Sequence, residues 1–189
     1  MADFKLEMKN VSKSFPGVKA LDNVQLSVRP GTVHALMGEN GAGKSTIASI
    51  LSGDIQPTSG KIFIENKSRS FKNAGEAASA KIVCVHQRPL LADSLTVFEN
   101  IILGAERFIR FTLKSSLAKK INELVRIWSP GLKLDSYVWQ ASRSAHFFTA
   151  FICALLKEPS VLILDEPASL LSAEEKSAFY PKIRSFVHE

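Results

Sequence analysis

Gly38-Glu39-Asn40-Gly41-Ala42-Gly43-Lys44-Ser45 carries three glycines, a lysine and a hydroxyl residue at the spacing of a phosphate-binding loop. The flanking residues supply the setting such a loop needs. Thr32-Val33-His34-Ala35-Leu36-Met37 runs into it as an apolar strand, and Ile47, Ile50 and Leu51 recur at helical spacing behind it, with Ser52-Gly53 as the stop. A helix starting there offers unpaired N–H donors and about half a positive charge to an anion. Gly38, Gly41 and Gly43 let the backbone curl so that those donors converge, with no Cβ facing the oxygens. Lys44 brings an ammonium to the β- and γ-phosphates, and Ser45 a hydroxyl ligand for Mg2+. The loop predicts binding of a nucleoside triphosphate, MgATP in the first instance. The competing reading, a glycine-rich turn of chance composition, has to account for the fixed positions and the strand-to-helix setting together.

A second motif lies far along the chain. Val161-Leu162-Ile163-Leu164 is a continuous apolar run, the pattern of a central parallel strand covered on both faces, and it ends in Asp165-Glu166-Pro167. An aspartate at the carboxyl end of such a strand is placed to hold magnesium, directly or through water. Glu166, next to it, is placed to orient an attacking water or accept its proton. Taken alone, the pair reads equally as an ordinary acidic strand end before a proline turn. Beside the phosphate loop the chemical reading is preferred.

Around these motifs the chain alternates strands and helices. Phe4-Leu6-Met8 and Val24-Leu26-Val28 alternate as strands, and Lys61–Ile64 and Ile82–Val85 read as two more. Thr96 with Glu99, and Ser172 with Glu175, have capping-box spacing. Leu117, Ile121, Leu124, Val125 and Trp128 form one apolar helix face, and Ser142 is placed to cap a buried helix through Leu156. Pro181 is expected to kink or interrupt the last helix.

Composition sets bounds. With 189 residues, 46% hydrophobic and 22% charged, the chain suits one globular domain, 1–189. No apolar run reaches the ~18 residues of a membrane-spanning helix, and the first residues lack a secretory pattern, so cytoplasmic residence is expected. The formal charge of +6 is spread along the chain instead of gathered on a stripe, which argues against direct nucleic-acid binding. Cys84 and Cys153 sit in apolar runs without metal-ligand spacing and read as buried free thiols.

The segments Met37–Thr46, Val85-His86-Gln87 and Leu162–Pro167, in that order, resemble the nucleotide-binding domain of an ABC transporter. Lys13–Leu21 and Leu95–Ile101 narrow the resemblance to importer subunits for sugars and related solutes such as nucleosides or riboflavin. The resemblance implies an α/β fold: a P-loop NTPase core with a mostly parallel sheet, an N-terminal antiparallel β subdomain and an inserted helical subdomain at about residues 88–145. It implies that Gly38, Glu39, Asn40, Gly41, Ala42, Gly43, Lys44, Ser45 and Thr46 line the triphosphate, and that Phe15 stacks on adenine. Gln87 would touch Mg2+ or the attacking water. Catalysis would rest on Glu166, Gln87 and Lys44, and the metal on Ser45, Gln87 and Asp165. The implied partners are a second nucleotide-binding domain and a membrane permease, with the chain peripheral on the inner face of the cell membrane.

The chain also departs from that pattern. The family's Leu-Ser-Gly-Gly-Gln signature, which grips ATP across a head-to-tail dimer, falls on Ala141-Ser142-Arg143-Ser144-Ala145, where Ser142 alone survives. Arg143 and Ser144 put side chains where two glycines allow close approach; alternatively, the Arg143 guanidinium itself reaches the phosphate. No residue matches the family's histidine after one further strand, and His188 falls too early, reading as a solvent-facing residue. The chain therefore reads as the front half of a longer two-domain ATPase, a shortened gene product or a deliberately shortened form. Two other functions stay open: a soluble ABC-type ATPase and a non-catalytic nucleotide-binding remnant.

Overall fold

The computed structural model describes residues 4–105 and 114–188. The chain divides into two compact units, Met1–Val83 with Ile183–Glu189, and Cys84–Lys182. Residues 106–113 of the expected helical insert, and the His188 side chain, lie outside what is described.

The first unit is built on an antiparallel sheet of order β2-β1-β3-β4, with β1 at Leu6–Phe15, β2 at Val18–Val28, β3 at Ser59–Ile64 and β4 at Lys67–Arg69. Leu6 and Met8 are buried at the period of two that a one-sided strand requires, and the next buried apolar residue is Val11, one step out of phase. The slip is a bulge. The register with β2 shifts between Met8 and Val11, where Asn10 takes φ 53°, and Asn23 on the partner strand takes φ 48°. Asparagine tolerates that left-handed region better than most residues. The buried Ser12 hydroxyl accepts from the Asn23 amide at 2.9 Å, so the irregular backbone is not left without a partner.

Helix α1, Lys44–Leu51, buries Ile47, Ala48, Ile50 and Leu51. A short helix α2, Ala74–Ser79, starts at Asn73, whose side chain accepts from the Glu76 amide at 3.0 Å. The expected strand at 32–37 forms no ladder among the described residues. Val33 and Leu36 are more exposed than buried core residues ever are, and Met37 is 92% exposed. An apolar alternation says that a segment suits a ladder, not that a neighbour has an edge free for it.

In the second unit, β6 at Val161–Leu164 pairs with β5 at Ile82–Val85 in a two-stranded sheet. All four β6 residues are half-buried, so the expected cover on both faces is not realised. One neighbour leaves the strand's other edge without a ladder, and continuous apolarity cannot report that.

Three helices follow, α3 at Val97–Ala105, α4 at Lys114–Trp128 and α5 at Arg143–Leu156, and Trp128 of α4 and Phe151 of α5 join an aromatic cluster with Phe179. The Phe151 ring lies 4.8 Å from Trp128 and 5.2 Å from Phe179, centroid to centroid, in edge-on contacts. Both capping boxes form. The Thr96 hydroxyl accepts from the Glu99 amide at 3.2 Å while the Glu99 carboxylate accepts from the Thr96 amide at 2.8 Å, and Ser172 with Glu175 repeats the exchange. The last helix, α6, runs Ala173–His188 with Pro181 inside it, where the sequence predicts a kink or a break. Proline removes a single backbone donor, and burial of Phe179 and Ile183 on either side holds the helix across the gap.

Two outcomes test this packing. Phe151 is fully buried, so Phe151→Ala should cost about 3–5 kcal/mol in denaturant unfolding. The Glu99 carboxyl is held below its usual value of 4.5 by the Thr96 amide first and hydroxyl second. That stabilisation is complete above the unfolded value and lost as pH falls through the lower folded one. Thermal unfolding of wild type should therefore drop on acidification below about pH 4.5 with a steeper slope than in Glu99→Gln.

Candidate functional site

The first unit presents the phosphate loop. Gly41 and Gly43 take φ 84° and 86°, the left-handed region in which a side chain is strained. At Gly43 space is missing as well as conformation: a Cβ would stand 2.5 Å from the Leu21 Cδ2 and 2.9 Å from the Ala20 carbonyl oxygen. Gly38 has an ordinary φ, so its role differs from the one the sequence suggests; a Cβ there would only press on Ala42 at 3.3 Å. The Ala42 amide donates to the Glu39 carbonyl at 3.2 Å, closing the turn, and the Ile47 amide to the Gly43 carbonyl at 2.9 Å begins the helix.

Helix α1 has no acidic residue in its first turn and no side-chain cap at Gly43. Its amino-terminal charge is thus not neutralised by its own carboxylates. The Lys44 ammonium donates to the Gly38 and Glu39 carbonyls, both at 2.8 Å, which folds the charge back over the loop. Ser45 is exposed and Thr46 half-buried on the following turn. Phe15 ends β1 beside a two-residue hairpin turn and is 42% exposed, with the Lys13 ammonium 5.1 Å from its ring centre. It is an open aromatic face, not a core residue.

The second unit presents the carboxylates. Strand β6 delivers Asp165, whose amide donates to the Val85 carbonyl at 3.0 Å. Glu166 then takes φ 49° and ψ 48°. Left-handed backbone costs a non-glycine residue roughly 1–2 kcal/mol, and a following proline disfavours helical ψ further. The conformation turns the side chain toward β5, where the Gln87 amide nitrogen donates to the Glu166 Oε2 at 2.7 Å. The structure thus brings together Gln87 and Glu166, which stand apart in sequence, with Asp165 adjacent.

The signature-equivalent segment opens α5. Ser142 is its cap: its hydroxyl accepts from the Ala145 amide at 3.1 Å and bonds the Ser144 hydroxyl at 3.1 Å. Arg143 is exposed. Sequence reasoning missed Asn100, which is buried among apolar neighbours yet accepts from the Ala92 amide at 2.7 Å and donates to the Ala92 and Thr96 carbonyls at 3.0 and 2.9 Å. It staples the segment that follows Gln87. The available signal was a lone amide on the buried face of α3. The Cys84 thiol lies 3.7 Å from the His86 Nδ1. Neither cysteine is in a disulfide, both are half-buried where the sequence predicts burial, and burial pushes the Cys153 thiol up.

Comparison with known proteins places this geometry. The family model described as ABC transporter matches residues 21–169, from within β2 to the turn behind Glu166. The chain is 36% identical over 88% of its length to the probable riboflavin import ATP-binding protein RfuB of Treponema pallidum, covering 28% of that protein. It is 38% identical over 95% of its length to the ribose import ATP-binding protein RbsA 3 of Rhizobium etli, covering 35% of it. The chain therefore spans about a third of the length of the curated relatives it matches. Among solved structures, a dimeric ATP-binding cassette in a post-hydrolysis state with ADP and phosphate superposes with a TM-score of 0.86 at 24% identity, over 96% of this chain and 82% of that one. A nucleotide-free cassette from an ABC transporter gives 0.83 at 22% identity, over 97% and 77%. Those two likenesses establish the ATP-binding cassette fold, with its P-loop NTPase core, and the match across residues 21–169 establishes the lineage: the chain belongs to the ABC transporter family.

Proposed function

We propose that this chain is the MgATP-binding part of an importer that drives a small solute, a sugar, nucleoside or riboflavin-like compound, through a membrane permease. The observation that carries the reading is the uncapped amino terminus of α1, ringed by Gly41, Gly43 and the folded-back Lys44 ammonium. It sits in a chain whose relatives are ribose and riboflavin import ATP-binding proteins.

On this reading the loop from Gly38 to Thr46 receives the triphosphate, Lys44 adds its charge near the β- and γ-phosphates, and Phe15 stacks on the base. Mg2+ takes hard oxygen ligands and is held by one or two protein groups plus the phosphates. Each unit, taken by itself, carries groups of the kind that ion takes. Ser45 offers an exposed hydroxyl and Asp165 a carboxylate at a strand end. Gln87 commits its amide nitrogen to Glu166, which leaves Oε1 as its acceptor end. When bound, the ion would neutralise phosphate charge. Glu166 orients the attacking water and accepts its proton. No helix among the described residues is long and apolar enough to cross a membrane; on this reading the chain docks on a permease at the cytoplasmic face.

The opening of α5 favours an unequal division of labour with a second cassette. Ser142 spends its hydroxyl on Ala145 and Ser144, and Arg143 and Ser144 occupy the positions of two glycines. This chain's Lys44, Ser45, Asp165 and Glu166 would then work against a partner's intact signature, while offering a poor one in return. Losing one oriented donor in a comparable site costs ~10²–10³ in rate.

The purified chain should hydrolyse ATP slowly. Mixed with a cassette carrying an intact Leu-Ser-Gly-Gly-Gln segment, turnover should rise by roughly 10²-fold and disappear in Glu166→Gln. Robust turnover by the pure chain, abolished by Lys44→Ala, would contradict the unequal arrangement.

A further inference from the structure

The role given to Glu166 needs its carboxylate in one place, and the local backbone works against that. Glu166 is left-handed, at φ 49° and ψ 48°, immediately before Pro167. The extended region is the relaxed choice for a residue preceding proline, and moving there would swing the carboxylate away from Gln87. Three contacts oppose the swing. The Asp165 amide is tied to the Val85 carbonyl at 3.0 Å, the Ser169 amide donates to the Glu166 carbonyl at 3.1 Å, and the Ser169 hydroxyl donates to that same oxygen at 2.8 Å.

The two amide bonds, one across to the end of β5 and one closing the turn, need only a backbone N–H, which any residue other than proline supplies. The hydroxyl bond alone of the three depends on residue type, and one neutral hydrogen bond is comparable to the strain of a single left-handed residue. The population of the left-handed form therefore turns on that hydroxyl. We propose that Ser169 is a positioning residue for Glu166: its hydroxyl, bonded to the Glu166 carbonyl, keeps that residue left-handed and so holds its carboxylate against Gln87. The inference rests on the reading of Glu166 as the group that orients water.

The test reads the Gln87 side-chain amide by nitrogen–proton NMR in the full chain, together with single-turnover hydrolysis of MgATP. Ser169→Ala should move the Gln87 amide resonance toward its position in Glu166→Ala and slow the single turnover roughly tenfold or more, with MgATP affinity unchanged. Ser169→Thr, which keeps the hydroxyl, should match wild type in both. Should Ser169→Ala unfold, Ser169→Cys supplies a near-isosteric side chain with a weak donor and the same expected shift. A folded Ser169→Ala or Ser169→Cys chain whose Gln87 amide coincides with wild type overturns the inference. If Glu166→Ala hydrolyses ATP as fast as wild type, the assignment of Glu166 fails instead, and the amide resonance still decides whether Ser169 positions it.

Discussion

Two left-handed glycines, and the absence of any atom on one of them, set the terms for the phosphate loop. A Cβ at Gly43 would run into Leu21 and the Ala20 carbonyl of β2, so the start of α1 is pressed against the antiparallel sheet with nothing between. That contact fixes where the helix begins and hence where its free amides point. Burial of Ile47, Ile50 and Leu51 then anchors the rest of α1. The loop residues themselves contribute little to stability, since most of them lie in solvent. The binding surface is held by what lies beneath it.

The carboxylate side follows a different logic. There the backbone is strained at Glu166, the residue proposed to orient water, as functional sites often are. The strain is balanced by short-range bonds from the turn behind it and a cross-strand bond from Asp165. The Gln87–Glu166 hydrogen bond is the product of that balance. It ties a side chain at the end of β5 to one at the end of β6, so any change in the segment after Gln87 acts directly on the proposed water-orienting group. Asn100 extends the connection by stapling that segment to α3.

Much of this was legible in the sequence because it is written in local signals. Both capping boxes and the Ser142 cap depend on residues three positions apart, and each forms as the spacing predicts. The strand at 32–37 and the double-sided burial of β6 were misread because they depend on neighbours that a run of apolar residues cannot announce. Pro181 does not interrupt α6, for the opposite reason: a local breaker is overridden by tertiary burial of Phe179 and Ile183. The exposure of Phe15 is set by its position beside a hairpin turn, which a single aromatic in the sequence does not announce. The partnership of Gln87 with Glu166 spans 79 positions and no spacing rule reaches that far.

The central claim is that the loop from Gly38 to Thr46 holds MgATP whether or not the chain can hydrolyse it alone. Titration calorimetry of the intact chain with MgATP tests it directly, with Lys44→Ala as the comparison. Wild type should give a saturable one-site isotherm, and Lys44→Ala should weaken it by at least tenfold, about 1.4 kcal/mol, while unfolding at the same temperature. A folded wild-type chain that gives no heat of binding, or a Lys44→Ala chain that binds as tightly as wild type, would contradict the account.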